Sequence, residues 1–227
     1  MGKLEWITFD CYGTLIDWEE GITKALAPFL PFPVDRDKFS RRYIELEAQV
    51  EKERYRPYRE VLAVTSARLL DQMGLRLPLG KENTLPDSLP DWPAFPEVSA
   101  SLRALRAAGH RLAILSNVDR DLLASSVRKL GATIDLLVTA QDCQSYKPAR
   151  GHWHHFQTLS EARPDTTLHV AASLYHDIIP ASKLGYRTVF INRHGETVAG
   201  TVATRILRDL SDLPHEVKEL ETRSLKL

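Results

Sequence analysis

Residues 4–15 read LEWITFDCYGTL, and the fold can be worked out from this stretch. The apolar, β-branched run from Leu4 to Phe9 predicts a buried strand. Asp10 follows directly, and Gly13-Thr14 then predicts a tight turn. A carboxylate on a turn at the end of a buried strand is typical of a ligand site at the carboxyl edge of an α/β sheet.

The same arrangement of a buried strand followed by a polar turn recurs along the chain. Helical spacing separates the strands, as in the stretch Val98 to Ala108, which stops at Gly109. Alternating strands and helices predict an α/β fold with a Rossmann-like, doubly wound parallel sheet. The tail from Ile206 predicts a last strand or turn and then a polar helix. The further β-rich runs are residues 111–115, 134–139, 168–172 and 187–191.

A different pattern lies between the first and second predicted strands. Residues 20–79 show no convincing strand, are rich in Glu, Arg, Leu and Ala, and have helical periodicity from Phe39 to Arg54. Prolines punctuate both edges of this region. We therefore predict a catalytic core made of residues 1–16 and 95–227, with a helical cap domain, residues 17–94, inserted after the first strand.

The bulk properties favour a small-molecule partner. The chain has 227 residues, with 30 Lys+Arg against 30 Asp+Glu, and this neutral balance argues against nucleic acid or an anionic membrane as partner. Cys11 and Cys143 show no paired spacing and are expected to be reduced thiols. Without a leader pattern or a long apolar run, we expect a cytoplasmic protein that does not enter the membrane. The sequence leaves open whether the protein forms a homodimer.

Polar side chains that follow the predicted strands are the candidates for chemistry, because ligands of open α/β sheets bind outside the carboxyl ends of the strands. Two carboxylates, an ammonium, hydroxyls and an amide suffice for nucleophilic displacement followed by hydrolysis. Ordinary structural roles compete with this: Asp10 as a turn former, Asp177 and Asn117 as helix caps, Lys147 as a solvated lysine. The candidates are Asp10, Tyr12, Thr14, Ser116, Asn117, Lys147 and Asp177.

Four ordered segments carry a family resemblance. DCYGTL (10–15), LSN (115–117), YKP (146–148) and HD (176–177) resemble the four motifs of the haloacid dehalogenase (HAD) superfamily, over roughly Leu4 to Arg193. Four motifs in order are far more specific than any one. Superfamily phosphatases carry a second Asp two residues after the nucleophile, where this chain has Tyr12. The D-x-Y-G-T-L pattern is instead similar to that of type II 2-haloacid dehalogenases, whose halide leaving group needs no proton.

The resemblance implies a hydrolase in which Asp10 displaces halide from a small 2-haloacid and water then hydrolyses the resulting aspartyl ester. Lys147 would hold Asp10 ionised, Asp177 would orient or deprotonate the water, and Thr14 would support the Asp10 turn. No metal and no cofactor are implied, and the expected partner is a small carboxylate. Arg41 is the alternative to Arg42 as the cap arginine. Substrate and halide contacts are expected from Tyr12, Arg42, Ser116, Asn117, Trp153 and Ser173.

Two other functions stay open. A magnesium-dependent phosphatase of a small metabolite would hold the cation between Asp10, the Tyr12 carbonyl and Asp177, although Tyr12 disfavours it. A non-catalytic metabolite-binding protein would not need Asp10, Lys147 and Asp177 together. The charged helix that carries Arg42 also suits a solvated face. His152, His154 and His155 predict a partly exposed helix face rather than a metal site.

Overall fold

The computed structural model describes residues 3–198, 200 and 202–224. Across this part of the chain a six-stranded, all-parallel sheet has the order β3-β2-β1-β4-β5-β6, which confirms the predicted doubly wound fold. β1 lies in the middle, so the strand order reverses on either side of it, at the position where such sheets bind their ligands. The strands are β1 Trp6–Phe9, β2 Arg111–Ser116, β3 Leu136–Thr139, β4 Thr167–Ala171, β5 Arg187–Ile191 and β6 Arg205–Leu207.

Helices cover the sheet and form the insertion between β1 and β2. The insertion is helical, as predicted, and holds α1 Trp18–Leu26, α2 Arg36–Glu53, α3 Tyr58–Gln72 and α4 Thr84–Ser88. The remaining helices are α5 Val98–Ala107, α6 Arg120–Val127, α7 Ala140–Cys143, α8 Gly151–Ser160, α9 Ile179–Lys183 and α10 Leu213–Ser224. A π-helical turn, Leu174–Ile178, precedes α9.

The long cap helix α2 illustrates how the sequence sets the orientation of an element. Its apolar residues recur at helical spacing and are buried: Phe39, Tyr43, Leu46 and Val50. The Asp35 side chain accepts a hydrogen bond from the Lys38 amide and caps the helix start. Because one face is committed to packing, Arg41, Arg42 and Glu45 are exposed, whereas Glu47 is half-buried.

The two segments that connect the cap to the core lie side by side. Ile16 and Ala94 form an isolated antiparallel bridge. Beside it the Asp17 amide donates to the Pro93 carbonyl at 2.8 Å, and the Phe95 amide donates to the Leu15 carbonyl at 3.0 Å. This bridge supports a boundary between core and cap at residues 16/17 and 94/95, which remains a proposal.

Both faces of the sheet are buried, as expected of parallel strands covered by helices. One large apolar cluster joins the sheet to the cap. A second cluster lies on the other side and includes Trp6, Trp153 and Phe156. Cys11 and Cys143 are free thiols. No helix in the described part of the chain is long and apolar enough to cross a membrane.

Candidate active site

The ends of three neighbouring strands bring the candidate side chains together at one edge of the sheet. Asp10 follows β1 and Ser116 ends β2, while Asp177 lies on the π-helical turn after β4. Lys147 reaches the same place from the loop between α7 and α8. Asp10, Lys147 and Asp177 keep only 8%, 2% and 1% of their surface exposed, so these charges interact in a medium that screens them weakly.

Asp10 is held through both carboxylate oxygens. The Thr14 hydroxyl donates to Oδ2 at 2.8 Å and Lys147 Nζ donates to Oδ1 at 2.9 Å. Burial raises the pKa of Asp10 above its usual value, whereas Lys147 and Thr14 act in the opposite direction. The Ala172 amide donates to Thr14 Oγ1 at 2.9 Å, which ties the Asp10 loop to the end of β4.

The turn after Asp10 depends on its glycine. Gly13 has a φ of +91°, a conformation that L side chains rarely adopt, and a Cβ there would meet Nε1 of Trp18 at 3.1 Å. Arg193, which we did not select from the sequence, donates to the carbonyls of Gly13 and Thr14 and pairs with Glu97. The loop that carries Asp10 is therefore fixed from both sides.

Lys147 uses all three of its ammonium donors. They go to Asp10 Oδ1 at 2.9 Å, Asp177 Oδ1 at 2.6 Å and the Leu115 carbonyl at 2.9 Å. Burial disfavours its charge, but the two carboxylates outweigh burial and raise the pKa of Lys147 to about 12. The side chain is therefore a fixed cation between two anions.

Asn117 holds the backbone of that lysine. Its Oδ1 accepts from the Lys147 amide at 2.7 Å and its Nδ2 donates to the Lys147 carbonyl at 3.1 Å. Its predicted contact with halide stays a prediction, because Nδ2 keeps a second N–H donor besides the one given to the Lys147 carbonyl. The side chain does not cap α6, whose first turn follows Asp119.

Asp177 is an ionised carboxylate. Burial alone would raise its pKa, but Lys147 and His169 lower the pKa of Asp177 below its usual range. His169 Nε2 lies 3.0 Å from Asp177 Oδ1, and on its other side Nδ1 lies 2.8 Å from Thr8 Oγ1. We missed His169 because a histidine within a buried strand looks like a core residue.

Ser173 supports the turn that carries Asp177. Its hydroxyl oxygen accepts from the His176 amide at 3.1 Å and caps the π-helical turn. This contact leaves Asp177 inside the turn rather than at a helix N-cap. The structure thus gives Ser173 a supporting place, and its predicted substrate contact stays a prediction.

Ser116 carries a buried hydroxyl that has no hydrogen-bond partner among the described residues. The register of β1 and β2 places it next to the Asp10 loop, since Phe9 is paired with Ile114. Beneath it, His152 Nε2 donates to the Ser116 carbonyl at 3.1 Å. An unpaired buried donor is costly unless a ligand uses it, so Ser116 is suited to bind an anionic substrate group.

Tyr12 lies two residues after Asp10. Its hydroxyl lies 3.0 Å from Ser126 Oγ, and its ring meets Trp92 edge to face at 5.8 Å. The position where the phosphatase branch of the superfamily carries a second Asp is therefore filled by a fixed aromatic ring.

Two expectations about the substrate pocket are corrected by the packing. Arg42 lies on the outer face of α2, where it pairs with Glu45 and donates to Gln72 Oε1, and Arg41 is also exposed. Trp153 is fully buried in the second apolar cluster, with its ring edge on His169 at 5.6 Å. Neither Arg42 nor Trp153 is placed to contact a substrate beside Asp10.

The helix that carries Trp153 has the partly exposed face that the sequence predicts. His152 is fully buried, His154 is exposed and His155 is half-buried. Burial lowers the pKa of His152 to about 4. Among the described residues, no group of three His, Cys, Asp or Glu side chains is arranged to hold a metal ion.

The cap contributes Glu51 and Lys52, rather than Arg41 or Arg42, to a cleft of about 340 Å³ that reaches Lys147. Glu51 lines this cleft together with Tyr55, Tyr146 and His176. Burial, with neighbouring Glu47, raises the pKa of Glu51 to about 9, so this carboxyl is neutral at pH 7. We did not select either glutamate from the sequence, since both sit in a run of charged residues.

Asp119 fastens the cap to the core. Its carboxylate accepts from the Tyr58 amide and the Arg59 amide, both at 2.9 Å, at the first turn of α3. Arg59 also pairs with Asp121 at 2.7 Å. A carboxylate at a helix N-terminus satisfies amides that have no partner within the helix and interacts favourably with the helix dipole.

Two proteins of assigned activity are similar in sequence to most of this chain. The chain is similar to (S)-2-haloacid dehalogenase 1 of Pseudomonas sp. (strain CBS-3), with 27% identity over 221 residues, 94% of this chain and 96% of the relative. It is also similar to haloacetate dehalogenase H-2 of Moraxella sp. (strain B), with 28% identity over 200 residues, 86% of this chain and 88% of the relative.

Solved structures share the fold. A crystal structure of an L-2-haloacid dehalogenase matches with a TM-score of 0.85 and 24% identity, covering 95% of this chain and 99% of the other. The L-2-haloacid dehalogenase of Xanthobacter autotrophicus matches with a TM-score of 0.82 and 18% identity, covering 95% and 98%. A family model described as haloacid dehalogenase-like hydrolase matches residues 4–185, and the chain therefore belongs to that family.

Proposed function

We propose that this hydrolase releases halide from a small 2-haloacid through a covalent ester on Asp10, giving a 2-hydroxy acid. The observation that carries the proposal is the pairing of Asp10 with Lys147 at 2.9 Å and Thr14 at 2.8 Å, which holds one buried carboxylate in place and suits it to act as a nucleophile. The haloacid-dehalogenating relatives support the choice of substrate class.

In the first step Asp10 attacks the halogen-bearing carbon in line with the carbon–halogen bond. The new C–O bond forms as the carbon–halogen bond breaks, and the electron pair leaves with the halide, so no proton is required. Tyr12 in place of a second carboxylate fits this chemistry, because a halide needs no general acid. The unpaired Ser116 hydroxyl would bind the substrate carboxylate.

In the second step water attacks the carbonyl carbon of the Asp10 ester while Asp177 takes a proton from it. The bond between the carbonyl carbon and the ester oxygen breaks, and the departing oxygen takes that proton from Asp177 to become the hydroxyl of the product. Asp10 then loses its remaining proton to solvent and is a carboxylate again. Asp177 suits this role because Lys147 and His169 keep it ionised. We propose that neither step needs a metal or a cofactor and that the partner is a small carboxylate.

The test is halide release by the purified protein in a chelating buffer. With 2-chloropropionate or a haloacetate we expect turnover, loss of turnover in Asp10→Asn, and none of that loss in the exposed control Asp121→Asn. Mass spectrometry of the intact protein should detect the substrate ester on the wild-type chain during turnover.

The phosphatase alternative gives the opposite result in the same assay. Absence of halide release, together with magnesium-dependent phosphate release from sugar phosphates, would overturn the proposal. Absence of both activities with intact binding of a carboxylate would favour the non-catalytic alternative.

A further inference from the structure

We propose that His169 is a positioning residue for the second step, holding one oxygen of Asp177 so that the other faces the hydrolytic water. It would govern hydrolysis of the ester but not its formation. This inference rests on the proposed function and goes beyond it, because it separates the two steps by residue.

A continuous hydrogen-bonded chain carries the inference. Thr8 on β1 contacts His169 on β4 at 2.8 Å, His169 contacts Asp177 Oδ1 at 3.0 Å, and Lys147 contacts the same oxygen at 2.6 Å. Thr8 and His169 are both fully buried. Buried hydrogen bonds of this kind hold the Asp177 carboxylate in one orientation.

The partners assign the imidazole tautomer. Asp177 is an anion and can only accept, so His169 Nε2 carries the proton and donates to it. In the neutral ring Nδ1 is then an acceptor, and the Thr8 hydroxyl, which lies 2.8 Å from Nδ1 and 3.3 Å from the Leu168 carbonyl, is close enough to donate to it. Thr8 thus supports the tautomer whose Nε2 proton points at Asp177.

In this arrangement one oxygen of Asp177 accepts both hydrogen bonds. Oδ1 receives both the ammonium of Lys147 and the imidazole of His169. Among the described residues, no contact engages Oδ2, which leaves it to hold water. Without His169, Lys147 alone holds Oδ1, and the carboxylate can rotate further about its Cβ–Cγ bond.

The first step has a separate support. Asp10 is held by Lys147 and Thr14, and neither contact involves His169. Removing the imidazole leaves all three partners of Lys147 in place. The nucleophile should therefore attack the substrate at nearly the same rate while the ester waits for water.

The experiment separates the two steps with His169→Phe and the donor-retaining His169→Gln. In rapid-quench measurements with 2-chloropropionate, we expect His169→Phe to release a burst of about one halide per site. Steady turnover should then be about 10- to 100-fold slower than in the wild type, the cost of one charge-assisted hydrogen bond. Intact-protein mass spectrometry should show the accumulated ester. His169→Gln should recover most of the turnover.

Two further variants guard against a merely structural effect. Thr8→Val keeps the shape but frees the tautomer, so it should slow hydrolysis in the same direction by a smaller factor. Trp153→Phe alters the packing against His169 without touching the hydrogen bonds, and should not separate burst from turnover.

An equal loss of burst and turnover in His169→Phe, or identical behaviour of the Phe and Gln variants, would overturn the inference. A wild-type protein that releases no halide would instead overturn the proposed function on which it rests. If both His169 variants released halide and turned over at the wild-type rates, the inference would be overturned and the proposed function would stand.

Discussion

Asp119→Ala should loosen the junction between cap and core. The substitution removes two hydrogen bonds of 2.9 Å from the Tyr58 and Arg59 amides to a carboxylate that is only 6% exposed. A hydrogen bond to a charged group contributes about 1.5 kcal/mol or more, and an anion at a helix N-terminus adds about 0.5 kcal/mol. Since water can partly replace the lost acceptor, we expect a loss of about 2–4 kcal/mol in the free energy of unfolding.

Urea denaturation followed by circular dichroism measures this loss, and the same turn supplies a matched control. Asp121 pairs with the same Arg59, but its side chain is 67% exposed. Exposed ion pairs contribute about 0–1 kcal/mol, so Asp121→Ala should change stability by no more than that. Equal effects of the two substitutions, or a loss below about 1 kcal/mol for Asp119→Ala, would refute the reasoning from burial and amide contacts.

Three further outcomes follow from the site. Thr14→Val removes a donor that lowers the pKa of Asp10, so the acid limb of the kcat/KM profile should move to higher pH; an unmoved limb would contradict this. The raised pKa of Glu51, about 9, means that the folded chain keeps a proton which the unfolded chain loses above about pH 4.3. The free energy of unfolding of the wild type should therefore decrease as the pH rises from about 4.3 to about 9. The Tm of Glu51→Gln, relative to that of the wild type, should increase from pH 5 to pH 8.5. Arg42→Ala should leave kcat/KM for a 2-haloacid unchanged, because the guanidinium pairs outward with Glu45, and a large loss would restore it to the site.

The four motif residues could be placed from sequence because the fold constrains them. Asp10 follows a strand, and Thr14 lies one turn away on the same loop. Lys147 and Asp177 follow other parallel strands, whose carboxyl ends must meet at one edge. The structure brings these four side chains within hydrogen-bonding contact. Their chemical roles stay predictions for the assays above.

Side chains on helices were harder to predict because each residue turns the helix by about 100°. The family resemblance led us to expect Arg42, yet this residue lies outside the buried face of the helix. Trp153 failed for the same reason, since α8 turns its ring into the core. A single sequence gives no direct measure of which face of a charged helix meets the site.

The contacts that were missed depend on tertiary packing. His169 occupies a buried strand position that an apolar residue could also fill. Its contribution to the site becomes visible only from its contacts with Thr8 and Asp177 on other elements. Asp119 looked like an ordinary residue before a helix, although it binds the start of a different helix 60 positions earlier in the chain. Such long-range pairs leave no periodic trace in the sequence.

The bridge between Ile16 and Ala94 allows the cap to be replaced as a unit. Its two ends lie side by side, so the segment between them can change length without moving the strand that presents Asp10. Lengthening a closed loop costs only about 0.6 kcal/mol per doubling. Evolution could therefore exchange one cap for another at this junction and alter what enters the cleft, while the nucleophile, its lysine and the sheet beneath them stay as they are.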